Sequence, residues 1–242
     1  MNITKTILKN KLIKIIADDK SIVNNQTLKE LIKKNSYLLS QLKIKKNSNI
    51  VIILNNSVEF VISFLSTINV CVSAPLNPNY TEGEFDFYFK DLKPKFIITN
   101  FEDNHAAIIS AKKYKIKIIK IHDYLFQSSS KRSVKKVINS GLNDNAIILH
   151  TSGTTSRPKV VPLTNKNIFS SAINISNSLQ LSSQDHCYNI MPLFHIHGLI
   201  AVLSSSINAG ASVYASSGFN ALKFLETADK ESITWYSGVP TM

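Results

Sequence analysis

Asn145-Ala-Ile-Ile-Leu-His-Thr-Ser-Gly-Thr-Thr-Ser-Arg-Pro-Lys159 sets a short apolar run directly against a turn rich in hydroxyls and closed by a lysine. Ala146 to His150 reads as a buried strand of the kind found in a sheet covered on both faces. Of the next six residues, Thr151, Ser152, Thr154, Thr155 and Ser156 carry hydroxyls, and Gly153 frees the backbone. A helix is predicted from about Thr164, with Ile168, Ala172, Ile175 and Leu179 on its apolar side. Successive N–H groups in such a turn form an anion-binding concavity, hydroxyls add donors, and Lys159 adds a point charge. The turn therefore suits phosphate, although a polar surface loop has the same composition. The Walker pattern G-x-x-x-x-G-K-[ST] and the G-x-S-x-G nucleophile elbow are both absent, which weighs against a P-loop NTPase and an α/β-hydrolase.

The same alternation of strand and helix runs upstream. Thr27 to Leu42 reads as a helix, with Thr27 as N-cap and Glu30 completing a capping box. Asn49 to Leu54 is a continuous β-branched run, and helical spacing resumes at Val58, Val61, Ile62, Leu65 and Ile68. Cys71 to Leu76 is the next strand, followed by a turn at Asn77–Tyr80, a helix over Glu82–Asp91 and a strand over Lys95–Thr99. Lys117 to Ile121 is a further strand. The rhythm predicts an α/β fold, with a parallel or mixed sheet flanked by helices.

Composition narrows the function classes. Of 28 basic residues only Arg132 and Arg157 are arginine, and the lysines are scattered. A net charge of +12 then describes solvated surface rather than the Arg/Lys stripe with interleaved aromatics of a nucleic-acid binder. Cys71 and Cys187 lie in apolar surroundings without partners at metal spacing, so both read as core residues in a reducing, cytoplasmic setting. The N-terminus lacks the apolar core and cleavage site of a signal peptide. Phe60–Tyr80 and Cys187–Leu222 contain no Asp, Glu, Lys or Arg. Their serines, prolines, glycines and histidines make them buried elements rather than membrane spans.

The run HTSGTTSRPKVVPLT resembles the phosphate-binding signature of the adenylate-forming superfamily, which includes acyl-CoA synthetases, luciferases and peptide-synthetase adenylation domains. The S-R-P-K variant is similar to the oxalate–CoA ligase-like branch. Ser156 and Val160 stand where most members have glycine. MPLFHIHGL (Met191–Leu199) is similar to the family's second core motif, and NAGASV (Asn208–Val213) and TWYSGVPTM (Thr234–Met242) resemble the strand and loop after it. The segment around PLNPNYTEGEF matches upstream, so the resemblance covers the chain from about Thr27 onward.

The resemblance implies the N-terminal large domain of the adenylate-forming fold, mixed sheets flanked by helices. Residues 1–242 would form an incomplete AMP-binding domain. Its C-terminal part and the small C-terminal domain with the catalytic lysine would be absent or separately encoded. It implies an ATP-dependent acid–CoA ligase using Mg²⁺, ATP, coenzyme A and a small-molecule carboxylate, a small dicarboxylate such as oxalate being favoured over a medium- or long-chain fatty acid or an aromatic acid. A non-catalytic remnant and a basic binding module are the alternatives. Carried over by position, Thr151, Ser152, Gly153, Thr154, Thr155 and Lys159 hold the β- and γ-phosphates. His195 is the catalytic histidine near the acyl group, and His197 joins it in the substrate pocket, on the same face if the segment is extended. H-x-H can also ligate zinc, but without a third ligand nearby no metal site is expected; two satisfied core histidines are the remaining reading. Trp235 reads as a core anchor.

Overall fold

The computed structural model describes residues 13–42, 44–121, 140–151, 158–240 and 242. The chain divides into two compact units, one of Met1–Glu30, Asn55–Val61 and Lys166–Met242, the other of Leu31–Leu54 and Ile62–Asn165.

The second unit is built on β3 (Asn49–Ile53), β4 (Val72–Pro75), β5 (Phe96–Thr99), β6 (Lys117–Lys120), β7 (Asn145–Thr151) and β8 (Lys159–Thr164). Their order is β6-β5-β3-β4-β7-β8, parallel throughout except for the antiparallel pair β7–β8. Ile50 to Ile53 of β3 are wholly buried, as an unbroken β-branched run in mid-sheet requires. Between β3 and β4 runs α2 (Val58–Ile68), apolar nearly all round and buried accordingly. α3 (Glu82–Leu92) and α4 (Ala106–Lys113) cross between the later strands. Phe85 and Phe89 of α3 and Ile108 of α4 pack on Val51, Ile53 and Ile97.

The first unit contains β1 (Lys14–Ala17), β2 (Ile22–Asn24), β9 (His186–Asn189), β10 (Ser212–Ala215) and β11 (Trp235–Tyr236), in the order β11-β9-β10-β1-β2. β2 alone runs antiparallel in this sheet. Between its strands run α5 (Asn165–Ser178), a π-helical stretch (His197–Ser204) continuing into α6 (Ser205–Ala209), and α7 (Ala221–Lys230). The Tyr188 and Tyr214 rings stack in the core at 5.1 Å. No described helix is long and apolar enough to cross a membrane. Cys71 and Cys187 are buried and unpaired, and burial pushes the Cys71 thiol up to about 12.

α5 begins at Asn165, next to the predicted start near Thr164, and Lys159–Thr164 before it forms the strand β8, antiparallel to β7. Two expectations are corrected. The first helix, α1 (Asn25–Gln41), begins earlier than predicted. Its cap is Asn24, whose Oδ1 accepts from Thr27 N at 3.0 Å, while Glu30 takes the Gln26 amide at 3.2 Å instead. A reciprocal capping box does occur on α3, where Thr81 Oγ1 accepts from Glu84 N at 3.3 Å and Glu84 Oε2 accepts from Thr81 N at 2.8 Å. In equilibrium denaturation, Asn24→Ala is expected to cost about 1 kcal/mol and Thr27→Ala no more than about 0.5 kcal/mol. Equal losses would return the cap to Thr27.

Candidate functional site

Parallel strands deliver their carboxyl ends to one edge of a sheet, and loops leaving that edge are where α/β folds place ligands. In the second unit β7 ends there. Thr151 and Lys159 are registered partners across β7 and β8, facing each other where the two strands separate. Both are exposed, and Lys159 makes no ion pair among the described residues. Ser152, Gly153, Thr154 and Thr155 lie outside the described residues. Val160 stands in extended backbone on β8 with its side chain 45% exposed, so a β-branched residue is accommodated where the resembling families carry glycine.

In the first unit the edge is formed by the residues after β9, β10 and β11. Beyond β9 the chain turns through Met191–His195 and enters the π-helical stretch, where the Ser205 N–H reaches back to Ile200 O. The segment holding the histidines is therefore a tight turn running into a helix, not an extended strand, and the shared face expected of His195 and His197 is lost. His195 is exposed, its ring against Phe194 at 4.5 Å, and its imidazole has no hydrogen-bond partner among the described residues. Water lost on the packed side holds its pKa below the ordinary histidine value, which favours the neutral ring. His197 is half-buried, with Nε2 2.7 Å from the Ser237 hydroxyl just past β11. No group of three or more His, Cys, Asp or Glu suited to a metal ion occurs among the described residues.

Two residues that the sequence did not single out shape this turn. Asn56 donates through Nδ2 to Met191 O at 2.9 Å and Ser216 O at 2.8 Å, and accepts at Oδ1 from Leu193 N at 2.8 Å. One amide thus ties the loop after β9 to the loop after β10. Gly198 lets the helix start pass against the turn: a Cβ there would lie 2.4 Å from Pro192 O and 2.7 Å from Met191 O. Its position directly after His197 was the available signal. Asn56 gave none, because its partners are backbone atoms more than a hundred residues away. Trp235 is only half-buried on the edge strand, and its indole N–H is buried without a partner among the described residues, which corrects its reading as a core anchor. It lines a cavity of about 350 Å³ with Ile175, Leu179, Ala201 and Ser237.

Residues 11–242 match the family described as AMP-binding enzyme. The chain is 40% identical over 219 residues to an oxalate–CoA ligase of Arabidopsis thaliana, covering 86% of this chain and 43% of that protein. It is 36% identical over 228 residues to an oxalate–CoA ligase of Saccharomyces cerevisiae, covering 81% and 42%. The chain thus spans less than half the length of these relatives. Its fold is similar to that of apo MatB from Rhodopseudomonas palustris, with a TM-score of 0.87 at 21% identity, covering 100% of this chain and 50% of that one.

Gly198→Ala forces a methyl into backbone and is expected to destabilise the chain by about 1–3 kcal/mol in a denaturant melt. Gly83→Ala, whose Cβ meets nothing within 4 Å, is expected to be neutral or slightly stabilising. An unaffected Gly198→Ala variant would refute the close approach.

Proposed function

Because this chain belongs to the family of AMP-binding enzymes, we propose that it carries the ATP-handling part of an AMP-forming acid–CoA ligase. The observation that supports this most is the pairing of Thr151 with Lys159, which brings a hydroxyl and an ammonium without an ion pair among the described residues to the two ends of the hydroxyl-rich segment. Mg·ATP is the substrate there, its metal carried on the phosphates. A carboxylate oxygen attacks the α-phosphorus, the bond to the β-phosphate oxygen breaks, and acyl-adenylate and pyrophosphate result. The thiol of coenzyme A then loses its proton, attacks the acyl carbon and displaces AMP. Such chemistry needs donors placed around charge that is already present, and no covalent nucleophile.

In this reading Thr151, Ser152, Gly153, Thr154, Thr155 and Lys159 hold the β- and γ-phosphates. His195 is the catalytic histidine: a neutral imidazole can donate one hydrogen bond to charge developing at the acyl group or the adenylate phosphate. His197, already on Ser237, borders the acid. The acid is a small dicarboxylate such as oxalate, as the two plant and yeast relatives suggest. A fatty or aromatic acid is the second reading, favoured by the largely apolar cavity beside Trp235. Completion of the reaction draws on a polypeptide corresponding to the rest of those relatives, in the same chain or a separate one. The two buried thiols support placing it in the cytoplasm.

Lys159→Ala is expected to weaken Mg·ATP binding about tenfold, as loss of a charge-assisted phosphate contact does. Its melting temperature should stay unchanged, because the side chain is exposed. Calorimetric titration reads the affinity and a thermal melt the stability, and wild-type affinity in the variant would exclude Lys159 from the site.

A further inference from the structure

The strand that carries Thr151 is held to its sheet unevenly. Val72 N donates to Ser48 O at 3.1 Å and Leu76 N to Ile52 O at 3.0 Å, so these peptide groups of β4 point at the β3 side. By strand alternation Ser73 and Pro75 point at β7. Pro75 has no N–H to offer, and β4 and β7 register only at Ser73↔Ile147. β7 nevertheless continues to Thr151, paired beyond that point with β8 alone, through Leu149↔Val161, His150↔Val160 and Thr151↔Lys159. A two-stranded extension is marginal by itself in water.

The His150 side chain supplies a second hold. It is 5% exposed, and its Nε2 lies 2.7 Å from Asp91 Oδ2 in the last turn of α3. The ring meets Tyr88 edge-on at 4.7 Å, and Tyr88 stacks in turn on Tyr80 at 4.9 Å. Asp91 occupies the end of a helix, where the dipole disfavours an anion, and the hydrogen bond from His150 offsets that cost. The contact thus ties the unsupported end of β7 to a helix whose Phe85, Tyr88 and Phe89 are anchored in the core.

We propose that His150 and Asp91 are positioning residues for the nucleotide. Together they fix the end of β7 so that Thr151 and Lys159 already stand opposite each other when the phosphates arrive. This rests on the reading that those two residues hold a polyphosphate. A prealigned pair spares the ligand the cost of ordering the strand ends, so the contact acts on affinity without touching ATP.

The test compares Mg·ATP titrations of the full chain as wild type, His150→Phe, His150→Gln, Asp91→Asn and His150→Phe/Asp91→Asn, each with a thermal melt lacking nucleotide. His150→Phe keeps a ring against Tyr88 and removes the donor, and His150→Gln keeps a donor. His150→Phe and Asp91→Asn are each expected to lower affinity about tenfold with little change in melting, and the double variant to lose no more than either alone. His150→Gln should recover most of the loss. Should His150→Phe fail to fold, Asp91→Asn on the half-exposed side of the pair carries the test. Wild-type affinity in Asp91→Asn, or additive losses in the double variant, would overturn the proposal while leaving the nucleotide reading intact. A wild-type chain that binds no Mg·ATP overturns the nucleotide reading itself, and this inference with it.

Discussion

Apolar strands buried on both faces and joined by helical crossovers pair in parallel, and this constraint organises most of each sheet. Ile50 to Ile53 of β3 impose it in one unit, and the Cys187–Tyr188 and Val213–Tyr214 pairs of β9 and β10 impose it in the other. Once strands run parallel, their carboxyl ends gather at one edge. In the first unit the residues that leave those ends then become neighbours without any sequence proximity: Met191 to His195 after β9, Ser216 after β10, Ser237 after β11. In the first unit Asn56 and the His197–Ser237 contact hold three such loops together.

Much of the second unit could be read from the sequence because its strands are continuous apolar runs and its helices carry a clear period. NIVII, KFIIT and the buried face of Val58–Ile68 are of this kind. The antiparallel strand β8 escaped because Pro162 interrupts it, and only its place at the sheet edge makes that proline tolerable. β1, at Lys14–Ala17, is four residues long and finds its partner β10 almost two hundred residues later. Local pattern cannot report such a pairing. The cap of α1 was misplaced by three residues because Asn24 and Thr27 are both good caps, and only geometry distinguishes them.

The candidate site divides in the same way. Residue types at Thr151 and Lys159 pointed to phosphate chemistry, and their cross-strand register supplies the spatial meaning. His195 and His197 were visible as a pair, but the turn at Pro192 and the wide helix behind it send them to different surroundings, one exposed and one against Ser237. Serine hydroxyls stabilise that helix: Ser204 Oγ donates to Leu199 O at 2.8 Å and Ser206 Oγ to Val202 O at 2.7 Å. Seen with Gly198, the serine-rich stretch that looked merely polar becomes the means of burying an irregular helix. Pro75 and His150 are a comparable case. A missing donor on one strand and a buried histidine bonded to a helix carboxylate on the next acquire significance only when the sheet order is known.

The account stands on the strand ends of β7 and β8 gripping a nucleotide's phosphates. Amide chemical-shift mapping of the isotopically labelled chain during titration with Mg·ATP tests this most directly. The account predicts saturable shifts that are largest at Thr151 and Lys159 and spread along β7 to His150. Saturable shifts confined to other surfaces, with those amides unmoved, would contradict it.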